Sequence, residues 1–174
     1  MSALHQAIES AIVRMLCQNA GLTEGVANSF ALATHATDVS VVPGGLLVSM
    51  DDAPSFVLNF YSGQSEEKVE LPAIIVVCDT GQRIDEAPNV QRCNVEIALE
   101  VQCDSTSGVN SLEWLNQASR WLHDLLSGSY GLAHDIETAD PNLVVSYVST
   151  AECGTSVEGR RRIHRWAFEV VASI

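Results

Sequence analysis

The sequence predicts an α+β domain, a mixed and largely antiparallel β-sheet packed against two main α-helices, and three observations predict it. First, residues 92–103 alternate without a break. Cys93, Val95, Ile97, Leu99, Val101 and Cys103 share one parity, and Arg92, Asn94, Glu96, Ala98, Glu100 and Gln102 share the other. That is the period of a strand with one dry and one wet face. Parallel strands are commonly apolar on both faces, so the alternation also points to an antiparallel sheet. Second, two separate segments repeat apolar residues at helical spacing instead. Third, the 174 residues are 47% apolar and 18% charged, which is enough chain and enough hydrophobe for one core. The whole of 1–174 is therefore expected to be one domain.

The elements follow in order. Leu4, Ala7, Ile8, Ala11, Ile12, Met15 and Leu16 form an apolar stripe over 3–20, with Ser2 placed to cap the helix and Gly21 to stop it. Residues 23–38 show no period beyond a short helix near 26–32. Segments 39–42 and 46–50, joined by Pro43, Gly44 and Gly45, suggest a hairpin, and 56–61 a third strand. The polar residues 62–70 are expected to be a solvated loop. The apolar run 71–78 predicts a central strand covered on both faces, with Pro72 tolerated near its start. Residues 79–89 are expected to be a loop that delivers the chain into the long strand. Asn110 followed by Glu113 has the form of a capping box. The stripe of Leu112, Leu115, Ala118, Leu122, Leu125 and Leu126, widened by Trp114 and Trp121, then marks a helix ended by Gly128. Strands are expected at 143–150 and 162–172. In the latter, His164, Trp166, Phe168 and Val170 share a face from which Arg165 and Glu169 point away.

No apolar run reaches the roughly 18–20 residues of a membrane helix, and the first residues lack the basic start of a signal peptide. A cytoplasmic site of synthesis and no membrane partner are expected. Cys93 and Cys103 cannot pair, because ten strand residues hold them roughly 33 Å apart. All five cysteines are expected to be reduced, core-filling thiols. The five histidines lack zinc-motif spacing, and the glycines lack both the phosphate-loop and the dinucleotide pattern. Asp51, Asp52, Glu66 and Glu67 lack a calcium-loop frame. No catalytic set, cofactor or metal is expected.

Charge is the remaining signal. The net charge is −13, yet four of the nine basic residues fall within 160–165. The acidic surplus disfavours nucleic-acid binding. Arg160, Arg161, Arg162 and Arg165, with Arg83 and Arg92, are expected at a subunit or partner interface, where a basic edge meets the acidic surface of a neighbour. Edge protection by charge is the plainer alternative.

The segments 71–76, 90–103, 112–126 and 165–170, in this order, resemble the tail terminator or tail-completion (neck) proteins of long-tailed bacteriophages. The resemblance covers 71–174 and leaves the strands at 39–61 as a possible addition. It implies a structural virion protein: a homo-oligomeric ring, six-membered in this family, that ends growth of the tail tube and joins tail to head. Its implied partners are itself, the tail tube protein and a head-completion or connector protein. Genomic DNA would pass through the lumen without specific binding. Another virion connector (head-closure or baseplate), a small cytosolic enzyme with a spatially assembled site, and an acidic DNA mimic remain as alternatives.

Overall fold

In the computed structural model, which describes residues 3–20, 29–51, 54–63, 69–79, 82–84, 87–103, 108–127 and 129–174, the alternating segment forms the longest strand, and the sheet is built around it. In chain order the elements are α1 (Ala3–Ala20), α2 (Ser29–Thr34), β1 (Asp38–Val42), β2 (Gly45–Ser49), β3 (Phe56–Ser62), β4 (Ala73–Cys78), β5 (Gln82–Ile84) and β6 (Ala87–Gln102). A 3-10 turn at Gly108–Asn110 then leads to α3 (Leu112–Ser127), α4 (Ser129–Ala139), β7 (Val144–Val148), β8 (Glu152–Glu158) and β9 (Arg161–Ser173). The expected α+β class holds.

All the strands join one curled sheet in the order β1-β2-β3-β4-β6-β9-β7, with β5 beside β6 and β8 beside β9. β3 and β4 run parallel, and the other pairings are antiparallel. The β6–β9 ladder runs from Gln91 opposite Ala172 to Gln102 opposite Arg161. β9 has two successive neighbours on its other side, β8 along Arg161–Ala167 and β7 along Val170–Ser173.

The predicted parity sorts the two faces. Cys93, Val95, Ile97, Leu99 and Val101 of β6 lie with Trp166, Phe168 and Val170 of β9, and with Ile74 and Val76 of β4, in the main core. The helices pack on this face. α1 buries Ile8, Ala11, Ile12, Met15 and Leu16 over β2, β3 and β4, and Arg14 Nη1 ties it to the Ala139 carbonyl at the end of α4 (2.5 Å). α3 buries both tryptophans, as expected. Trp114 meets the Phe56 ring edge-on at 5.5 Å, and Trp121 meets Phe30 at 5.0 Å.

Local signals explain most boundaries. Pro43 and Gly44 make the two-residue turn between β1 and β2, with Gly44 at φ +80°, the geometry of a type II turn. A Cβ on Gly45 would stand 2.2 Å from the Leu58 carbonyl oxygen, so only glycine lets β2 approach β3 there. His35, at φ 58°, occupies the left-handed position after α2, and the Ala36 N–H reaches back to the Ala31 carbonyl (3.1 Å). This is a Schellman closure made without glycine.

Several expectations need correction. Residues 79–89 are not simply a loop: β5 and the start of β6 fall there and pair with each other. The cap of α3 is Ser111, whose Oγ accepts the Trp114 N–H at 3.1 Å, whereas Asn110 ends the 3-10 turn. α4 and β8 are additions to the expected elements; α1 and α3 remain the two main helices, with the shorter α2 and α4 beside them. The thiols of Cys78 and Cys93 are core residues, but Cys17 and Cys103 are half-buried and Cys153 is exposed. The capping role of Ser2, the stops at Gly21 and Gly128, and the acidic pairs involving Asp52, Glu66 and Glu67 lie outside the described residues.

Candidate assembly surface

Among the described residues the second face of the sheet carries no helix, and its strands bring three of the six singled-out arginines together. On β6 and β9 the residues of this face are Arg92, Asn94, Glu96, Ala98, Glu100 and Gln102 against Val171, Glu169, Ala167, Arg165, Ile163 and Arg161. None of these directly opposite pairs is ionic; the ion pairs are diagonal. Arg92 Nε lies 3.9 Å from Glu169, Arg165 Nε lies 3.5 Å from Glu96, and Arg161 Nη2 contacts Glu100. Each joins a β6 residue to the β9 residue two before its direct partner, at four-residue intervals. Diagonal neighbours on a sheet are about 7–8 Å apart at Cα, a span that arginine bridges. Arg165 Nη1 also donates to Ser156 Oγ of β8 at 2.6 Å, which fastens a third strand to the array.

These pairs differ in depth. The Arg165–Glu96 and Arg92–Glu169 pairs are open to water, whereas Glu100 is only 7% exposed. Ile163, directly opposite Glu100, is 1% exposed yet lies outside the main core cluster. With Ala73, Ala98 and Val171 it forms a thin second apolar layer under the arginine and glutamate side chains. The long aliphatic stems of arginine can cover such a layer while their charged ends stay wet. At the far end of the face a recess of about 330 Å³ is lined by Val77, Asp79, Asn94, Val95, Glu96 and Ala167.

The other singled-out arginines go elsewhere. Arg160 sits in the two-residue turn between β8 and β9, beside Gly159 at φ +63°. Arg162 falls on the helix-side parity and donates from Nη1 to the Gly159 carbonyl (3.2 Å). Arg83 lies in β5 opposite Gln91, and its side chain is outside the described residues. A run of three arginines that looks like one patch is thus split by the turn and the strand alternation. Arg92, Arg161 and Arg165 have carboxylate partners in their own chain. Arg160 and Arg162 have none among the described residues. The sequence signal for these partners is strand parity, which puts Glu96, Glu100, Arg165 and Glu169 on the face away from the core; Glu100 is nearly buried there instead of wet. Ser156 had no signal, because β8 does not alternate.

A second cluster joins α1 to β4. β3 ends at Ser62, and among the described residues the Gly63 N–H makes the last β3-side backbone bond to β4, to the Val76 carbonyl (2.9 Å). The next N–H pointing that way belongs to Cys78, and the buried Glu9 carboxylate of α1 accepts it at 2.9 Å. Cys78 and Cys93 are diagonal neighbours on the helix-side face. The Cys78 thiol is pushed well above the usual thiol range, first by its hydrogen bond to Cys93, then by burial, and then by the nearby Cys93, Glu9 and Asp79 charges. Accepting that hydrogen bond pulls Cys93 down, against burial that pushes it up. Both thiols are sealed in the core, which suits packing and hinders attack on a substrate. His5, one turn before Glu9, is buried, and its Nδ1 meets no partner among the described residues. Among the described residues no group of three histidine, cysteine or acidic side chains is placed to hold a metal.

No protein-family model matches the chain, and no curated protein matches it in sequence.

Proposed function

We propose that the chain is a structural subunit of a long-tailed bacteriophage virion, a tail terminator or neck protein whose copies form a ring around the path of the genome. The observation that carries the reading is the pairing of a helix-free sheet face, whose arginines are taken up by carboxylates of the same chain, with a net charge of −13. A lumen wall needs a smooth surface that does not hold phosphates. Cations spent within the subunit and a surplus of carboxylates meet that need. The element order supports the same reading through its resemblance to these proteins. The sealed Cys78 and Cys93 thiols favour it over chemistry at those sulfurs. Another virion connector would share these features, and its partner would differ.

The test is the mass of the purified protein by light scattering over concentration and salt, followed by capture of the tail tube protein. A closed oligomer that binds tube ends supports the reading. A closed oligomer that binds only a head connector moves it to the neck. A protein that stays monomeric even with tail tube present overturns it.

A further inference from the structure

Two edges of the sheet have no further strand beside them among the described residues, and they match. β1 closes one side, and β8 with β7 closes the other. β8 is the odder strand. Nearly all of its side chains stand in water, and none belongs to the core, so among the described residues the ladder to β9 and the Arg165–Ser156 hydrogen bond hold it. Such an edge invites pairing with another chain. Each end strand also holds a valine out in solvent, Val41 at 60% and Val157 at 62% exposure. Val41 faces the helix side with Leu46, and Val157 faces it with Arg162.

The two hairpins fix which backbone groups are free. The residues flanking a two-residue turn exchange ladder bonds, here Val42 with Gly45 and Glu158 with Arg161. Bonding direction alternates along a strand, so Val39 and Val41, and likewise Thr155 and Val157, turn their N–H and C=O groups outward. The charges correspond as well. Arg160 and Arg162 at the β8–β9 tip lack a carboxylate among the described residues, and Asp38 opens β1 in an exposed position. With the strands antiparallel and Val41 level with Val157, Asp38 comes level with Arg160.

We infer that β8 of one copy pairs antiparallel with β1 of the next, so that a second copy of this chain covers each open edge. This rests on the ring reading and names its joint. The contact uses unlike surfaces, as a cyclic assembly requires. It also keeps the helices of every copy on one side and the ion-paired face on the other.

The test uses full-length protein with Cys153→Ser, carrying Val41→Cys, Val157→Cys or both, oxidised by dissolved oxygen with a copper catalyst. The expected result is a covalent ladder of multimers from the double variant. A mixture of the two single variants should give linked dimers, and neither single variant alone should. Val157→Pro, which removes an outward N–H, should bring the wild-type oligomer down to the monomer mass. Circular dichroism checks its fold, and Val157→Lys replaces it if the proline variant unfolds. An oligomer of unchanged mass in these variants, with no cross-linking, overturns the edge joint and leaves the ring. Cross-links that close at dimers keep the joint and remove the ring. A wild type that is monomeric throughout and forms no cross-link overturns both.

Discussion

The carboxylate of Glu9 sits where β3 has run out and the N–H of Cys78 still needs an acceptor. Glu9→Ala leaves that buried donor unmet and should cost about 1–3 kcal/mol in urea denaturation. Glu9→Gln keeps a carbonyl acceptor and should cost less. His164 supplies a pH signal. It is half-buried and stacked on Trp166 at 6.2 Å, and burial lowers its pKa below the ordinary 6.5. The unfolded chain therefore takes up the proton first as pH falls. Stability from this site is whole above about pH 6.5 and drains below it, through the folded pKa. Thermal melts should show a smaller loss between neutral pH and about pH 5.5 in His164→Gln than in the wild type. Neither residue's role was legible in sequence. Glu9 falls outside the apolar stripe of α1, and only the early end of β3 gives its carboxylate a task.

At the scale of elements, the β6–β9 ribbon converts a charge pattern into unequal energies. Arg161 covers the nearly buried Glu100, so Arg161→Ala strands a carboxylate and should cost about 1–3 kcal/mol. Arg165 pairs with a Glu96 that water already reaches, so Arg165→Ala should cost about 0–1 kcal/mol. Denaturation curves that rank them the other way would remove the depth argument. The same ribbon explains which elements the sequence revealed. β6 has one dry and one wet face, so its alternation could be read directly. β8 has two wet faces, and β5 is three residues long; neither leaves a period to detect. α4 buries a narrow stripe of Leu132, Ile136 and Ala139, too short to stand out beside α3. The basic run within 160–165 was conspicuous, but its meaning depended on a turn at Gly159 and Arg160 that only the unseen β8 creates.

For the whole molecule, charge makes the clearest prediction. At −13 the chain should not retard duplex DNA in a gel-shift assay at physiological salt. Retardation that fades with salt would place a cationic surface in the assembly and count against a non-binding lumen. The long ladder carries a different consequence. β6 and β9 stay paired over twelve successive positions, from Gln91 opposite Ala172 to Gln102 opposite Arg161, a length of about 40 Å. A pull along that axis loads the whole row of hydrogen bonds at once in shear instead of opening them one by one from an end. The subunit is therefore stiffest along its longest strands, and mechanical load should deform the hairpin ends before it parts this central seam.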